Sequence, residues 1–130
     1  MAGEDLPESV LLFLDTCIDS VEQLRVLLLL QSAPERIWTT AEITTELRSA
    51  DTSIANRLDA LYARKVLWPV PNAKDRHKYS PTNEDLRHVI GELATQNQLR
   101  PYRVIEAIYS RPNKALQAFA DAFKLRGGKS

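Results

Sequence analysis

The sequence predicts a mainly α-helical protein with one small antiparallel hairpin, and three observations carry this prediction. Capping boxes, in which Ser or Thr is followed three residues later by Glu or Gln, open helices at residues 20–23 and 39–42. Apolar residues recur at spacings of three and four along much of the chain, as on one face of a helix. That period changes at residues 66–70, Val-Leu-Trp-Pro-Val, which indicates a short extended run.

Two helices are predicted before the central part of the chain. Pro7 suits the first turn of an opening helix, and a second helix begins after Ser20. Four consecutive leucines, residues 27–30, leave this second helix without a polar side, so we expect it at the centre of the core. Pro34 prevents its continuation, and residues 36–38 then predict a small strand.

The central part predicts two helices joined by a tight turn and followed by a hairpin. The first helix covers residues 39–47, and the second covers residues 52–65 with Asp51 or Thr52 as its N-cap. Residues 66–79 would form two short strands around a polar, basic loop.

The pattern then returns to helix. Residues 82–85 form a strong start signal, Pro101 opens a further helix that ends before Pro112, and a last helix begins at about Asn113. We therefore divide the chain into three parts: an N-terminal helical extension (1–19), a central domain (20–81) and a C-terminal helical region for dimerisation (82–130).

Composition disfavours several functional classes. Cys17 is the only cysteine, so neither an intramolecular disulfide nor a cysteine-based metal site is expected. The longest apolar run is too short for a bilayer and the acidic start does not resemble a secretory signal, so we expect a cytoplasmic protein without a membrane partner. The chain has no glycine-rich phosphate loop, nucleophile elbow or histidine–carboxylate cluster. We expect no enzyme, no metal and no cofactor.

Residues 20–81 resemble the winged helix-turn-helix transcription regulators of bacteria, in the broad MarR-like sense. They follow the same order: a leucine-rich helix, a strand at Trp38, the helices at 39–47 and 52–65, and a wing at 66–79. The resemblance implies a small antiparallel β-wing, with additional N- and C-terminal helices around the motif. It also implies that double-stranded DNA is the partner and that the protein binds it as a twofold homodimer.

Two features depart from that family pattern. Lys65 stands where glycine usually follows the second helix, so the helix ends either with a strained Lys65 or with another cap. Pro69 and Pro71 lack an N–H group, so the first wing strand must be very short or must turn its prolines away from its partner.

The resemblance places the N-terminal half of the 52–65 helix in the major groove. Asn56 would pair with adenine, and Arg57 with guanine or a phosphate, because both lie opposite the apolar stripe. Thr52 and Ser53 suit phosphate contacts near the helix N-terminus. The alternative is that Asn56 and Arg57 are ordinary solvated helix residues.

The basic wing loop supplies the second set of candidate contacts. Arg76 would reach a minor groove, while Lys74 and Lys78 would lie on phosphates. Thr40 on the preceding helix would add a backbone contact. The alternative is a solvated hairpin tip.

The distribution of charge leaves two functions open. The chain has a formal net charge of zero, yet residues 1–35 carry seven acids against Arg25 alone, which leaves +6 on the remainder. This asymmetry suits a basic face turned toward phosphates, although N-terminal acids also serve solubility. Because the total is neutral and Asp59 offsets bases on its helix, the alternative is a winged-helix protein–protein adaptor in a bacterial signalling or transcription complex, without direct DNA binding.

More apolar faces are present than one core of this size should absorb, which predicts a homodimer. The candidate interface residues lie on the opening and C-terminal helices: Val10, Leu11, Leu14, Ile18, Leu86, Leu93, Ile105, Ile108, Phe119 and Phe123.

Trp38 and Trp68 are expected in the core on either side of the small sheet, and Cys17 is expected to be buried and inert.

Overall fold

The computed structural model describes residues 6–110, and the prediction of a mainly helical chain is confirmed over this range. The predicted last helix from Asn113 lies outside the described residues, as do Phe119 and Phe123. The described part contains six helices: α1 (Glu8–Cys17), α2 (Val21–Ser32), α3 (Thr40–Leu47), α4 (Asp51–Ala63), α5 (Glu84–Leu99) and α6 (Pro101–Ser110).

The starts of three of the six helices, α2, α3 and α5, follow from local side-chain caps. Ser20 accepts a hydrogen bond from the Gln23 N–H, and the complete capping box of Thr39 and Glu42 opens α3. Asn83 accepts from the Leu86 N–H at 2.8 Å and opens α5. These caps satisfy backbone N–H groups that have no partner inside the helix. A few residues therefore determine where these three helices begin.

Helix α4 differs from its predicted bounds at both ends. Neither Asp51 nor Thr52 is the N-cap: that position is Ala50, which makes no side-chain cap bond. The turn before it is formed by the backbone, with Arg48 in the left-handed region at φ 55°. The helix ends at Ala63 rather than at residue 65, because Lys65 adopts φ 62°, the strained conformation that was one of the two predicted endings.

One hydrophobic core draws side chains from all six helices, and α2 supplies four of its buried apolar residues, Leu24, Val26, Leu27 and Leu30. Helix α2 packs against α3 and α4, while α1, α5 and α6 pack against one another. The expectation that this core could not absorb the opening and C-terminal helices was wrong for half of the candidate interface residues. The following are buried within the chain itself: Val10, Leu14, Ile18, Leu93 and Ile108.

The predicted β-wing is not a sheet, since the described range 6–110 contains no β-strand. Two isolated antiparallel bridges, Trp38 with His77 and Leu67 with Pro81, hold an irregular hairpin instead. Trp38 and His77 exchange two backbone hydrogen bonds, of 2.7 and 2.8 Å. Pro69 and Pro71 cannot donate to a ladder, so pairing stops after these single bridges. We call the hairpin of residues 66–81 the wing.

No helix among residues 6–110 combines the length and the hydropathy that a bilayer crossing requires.

Candidate nucleic-acid interface

Arg57 does not project freely from α4, which corrects the expected geometry. Its Nε donates to Glu22 Oε1 at 2.9 Å, and the Arg57 side chain is 36% exposed. The hydroxyl groups of Ser49 and Ser53 also donate to the Glu22 carboxylate. Two of the predicted DNA-contacting residues, Ser53 and Arg57, are therefore held by an acid on α2. No local pattern in the sequence indicates this pairing, because Glu22 and Arg57 are 35 positions apart.

The Glu22 carboxylate is stabilised in its charged form by these donors. The Ser49 hydroxyl has the largest effect, followed by the Ser53 hydroxyl and, with a smaller effect, Arg57, and together they lower the pKa of Glu22 from 4.5 to about 2 despite its partial burial. The cluster joins α2, the turn before α4 and the first half of α4. It therefore fixes the orientation of the helix that is predicted to enter the groove.

Thr52 and Asn56 remain the exposed polar residues on this part of α4. No bond from either side chain to another described residue is present, so the Asn56 amide is available to an external partner. Asp51 and Asp59 are exposed on the same helix. The electrostatic character of the face is consequently mixed rather than basic.

The wing is bound to α3 and α4 by a polar network. Asp75 Oδ1 accepts from the Thr40 N–H at 2.9 Å and from the Thr40 hydroxyl at 2.5 Å, so it caps the start of α3 from outside the helix. These bonds lower the pKa of Asp75. His77 Nε2 lies 3.2 Å from Asp75 Oδ1, and His77 Nδ1 lies 2.5 Å from the Tyr62 hydroxyl of α4. Thr40 is therefore engaged by the wing.

The other end of this network is the Tyr62 phenol. Burial raises its pKa to about 12, so it stays protonated and can donate to the His77 ring. The ring of Tyr62 also stacks on that of His77, with 5.8 Å between centroids. In the sequence, Asp75 and His77 are recognisable only as loop charges, and nothing there singles out Tyr62. Their role depends on neighbours that only the fold brings together.

The cations of the wing fall into two groups. Lys74 and Arg76 are exposed and form no ion pair with any residue between 6 and 110. Lys78 Nζ lies 3.5 Å from Glu35 Oε1 and is less available. The wing loop thus presents two cations beside the start of α3, and the exposed Asp75 between them accepts hydrogen bonds from Thr40.

Two expectations about apolar residues have opposite outcomes. Trp38 is buried at 3% exposure, as predicted, whereas Trp68 is 59% exposed and the prediction that it lies in the core was wrong. Adjacent residues of an extended chain point to opposite sides. Since Leu67 is buried, its neighbour Trp68 is directed outward. Cys17 is only half-buried, with its Sγ 3.5 Å from the Thr16 hydroxyl.

Comparison with known proteins gives no relative from which a role could be transferred. No model of a protein family matches the chain, and no match was found among curated proteins or solved structures. Within residues 6–110, no group of three or more His, Cys, Asp or Glu side chains could hold a metal ion.

Proposed function

We propose that the protein is a cytoplasmic, sequence-specific DNA-binding transcription regulator. Helix α4 would enter the major groove with its N-terminal half, and the wing loop would contact the phosphate backbone or the minor groove. Asn56 would face the bases, while Thr52, Lys74 and Arg76 would meet the phosphates. Thr40, Ser53 and Arg57 would position these elements through Asp75 and Glu22.

The observation that carries this proposal is the attachment of the wing to the two-helix unit. The bonds that Asp75 accepts from Thr40, and the bond between Tyr62 and His77, fix the wing against both α3 and α4. Two cations without an acidic partner in the described range, Lys74 and Arg76, are therefore held beside the helices instead of moving on a free loop. A duplex is a partner that accepts a helix and a fixed cationic loop together.

A protein–protein adaptor is the second candidate, and specific contacts favour it. Arg57 is already paired with Glu22, and the acidic side chains of Asp51 and Asp59 accompany Asn56 on α4. Such a face repels phosphates more than the face of a strongly basic helix does. The regulator is rejected in favour of the adaptor if wild-type protein selects no sequence from a pool of random duplexes and is not retained on DNA at low salt.

Replacing Asn56 with alanine should weaken binding to a selected duplex by roughly tenfold or more, the cost of losing a bidentate hydrogen-bonded pair with a base. The fold should not change, because Asn56 is exposed and forms no bond within the described structure. The measurement is a titration of a fluorescent duplex that the wild type has selected. Gln98→Ala, which removes an exposed amide from α5, is the matched control and should bind as the wild type does.

Replacing Arg76 with alanine should weaken binding to all duplexes similarly, because a phosphate contact carries no sequence information. The slope of log affinity against log salt should fall by about 1, since the variant would neutralise one phosphate fewer than the wild type does. An unchanged slope would remove Arg76 from the interface. Weaker binding to the selected sequence alone would instead make Arg76 a base-reading residue.

A further inference from the structure

The side of the wing that faces away from the core carries an apolar surface with no partner in the described structure. We define the wing outer face as Ile37, Trp68, Pro69, Val70 and Pro71, which surround an open hollow of about 570 Å³. Ile37 is 46% exposed and Trp68 is 59% exposed. This face is distinct from the wing loop that carries Lys74 and Arg76.

The pattern of burial shows that both sides of the hairpin region are apolar. Trp38, Leu67 and Tyr79 point into the core, and their neighbours Ile37 and Trp68 point out. A hairpin that packs on one side only usually has polar residues on the other. Large exposed side chains gathered around one hollow, with an indole among them, are typical of the centre of a protein interface.

The charges at the edge of this face favour a second copy of the chain as its occupant. Lys78 lines the hollow, and Glu35, whose side chain is 94% exposed, lies beside it at 3.5 Å. One edge thus carries both a cation and an anion. A twofold contact requires a surface that is complementary to itself. If one residue of the first copy contacts a different residue of the second, the same two residues also meet with the copies exchanged. Two copies placed face to face would bring Glu35 of each to Lys78 of the other, with the apolar residues enclosed between them.

We propose that the wing outer face is the contact between two copies of this chain, with Trp68 at its centre and reciprocal Glu35–Lys78 pairs at its edge. Five of the ten apolar candidates from the opening and C-terminal helices are buried in the core, whereas Ile37 and Trp68 of this face are exposed. The five residues of the wing outer face are far fewer than the number of residues that a permanent dimer buries on each side, so we expect the association to be weak and to depend on concentration. This contact goes beyond the proposed DNA binding and is tested without DNA.

Sedimentation velocity over a wide concentration range tests the proposal on the full chain. Wild-type protein should show reversible dimerisation, and Trp68→Ser should raise the dissociation constant about tenfold or more, as expected for the removal of a central aromatic residue. Leu12→Ser is the matched control, because Leu12 is 63% exposed on α1 and lies outside the wing. It should dimerise as the wild type does. A monomeric wild type, or a dimer that Trp68→Ser does not weaken, would overturn the proposal.

Charge variants test the same contact without altering the apolar residues. Glu35→Lys and Lys78→Glu should each dimerise less than the wild type, because each places like charges opposite one another. An equimolar mixture of the two variants should recover association, since both pairs across the heterodimer are then opposite in charge. An ion pair that acts only within one chain would give a mixture no stronger than its components, and that result would refute the reciprocal contact.

Discussion

Replacing Trp38 with alanine is expected to lower the free energy of unfolding by about 3–5 kcal/mol, the range for removing a large aromatic side chain from a core. Its indole is 3% exposed and packs beneath the Arg36 guanidinium, which lies 3.5 Å from the ring centroid. Trp38 also forms both backbone hydrogen bonds to His77. Its removal therefore leaves a cavity under the wing at the point where the wing joins the rest of the molecule.

Phenylalanine at the same position separates the two contributions of the indole. The Trp38 Nε1 is buried and has no hydrogen-bond partner in the described part of the chain, so tryptophan carries an unsatisfied polar group. Trp38→Phe removes that group together with some volume and should cost much less than Trp38→Ala. Urea unfolding of both variants measures the difference. Equal destabilisation by the two substitutions would mean that the volume of the side chain does not determine its contribution.

The helices of this chain can be predicted because their signals are local. Ser20, Thr39 and Asn83 each bond to a residue three positions later, so a short window of sequence contains both partners. The ending of α4 is also predictable, since Lys65 occupies a position that favours glycine and adopts a positive φ. For the wing, the change of period at residues 66–70 indicates an extended run, and the prediction of two strands is wrong. The sequence shows that Pro69 and Pro71 lack N–H groups, but only the structure shows that the pairing is reduced to single bridges.

The candidate site can be predicted only in part because its main contacts are long-range. Asp75 meets Thr40 across 35 positions, and Glu22 meets Ser49 across 27. Sequence spacing identifies Asn56 as an outward residue, which agrees with its exposure, but it cannot show that Arg57 turns back to α2. Trp68 is expected in the core because large aromatic residues usually lie there, and which side of the hairpin it takes depends on register.

The charge asymmetry of the sequence also has a different meaning in the folded chain. By itself it suggests an acidic region turned away from a basic face. In the structure, acids from the first 35 residues instead pair with bases from the central domain. These pairs are Asp19 with Arg64, Glu22 with Arg57, and Glu35 with Lys78. Within residues 6–110 these pairs occupy three bases of the central domain, so contacts of the described part with phosphates depend on a few other cations such as Lys74 and Arg76.

Replacing Glu22 with glutamine is expected to lower the free energy of unfolding at neutral pH by about 2 kcal/mol, because hydrogen bonds to a charged group disappear and Arg57 keeps no partner. The folded-state pKa of Glu22 is about 2, below its ordinary 4.5. Its stabilising effect is therefore complete above pH 4.5 and is lost as the pH falls through 2. The difference between wild type and variant should be constant near neutrality and should shrink in acid.

Urea unfolding of the wild type and Glu22→Gln at several pH values measures this difference. Glu46→Gln is the control, since Glu46 is exposed on α3 and its substitution should leave the pH profile unchanged. A gap that stays constant down to a pH of about 2 would show that the charge of Glu22 does not stabilise the fold. A double-mutant cycle with Arg57→Ala then isolates the coupling between the two side chains.

The same variant also decides what Arg57 does in the proposed complex with DNA. If Arg57 only positions α4, Glu22→Gln and Arg57→Ala should weaken binding to the selected duplex in parallel with their effect on stability. If Arg57 contacts the duplex, its release from Glu22 should strengthen binding even though the fold is less stable, and Arg57→Ala should abolish that gain. Because the loss of the Glu22 charge alone also reduces the repulsion of phosphates, a gain in affinity is assigned to Arg57 only if Arg57→Ala abolishes it, and the double variant therefore distinguishes the two roles.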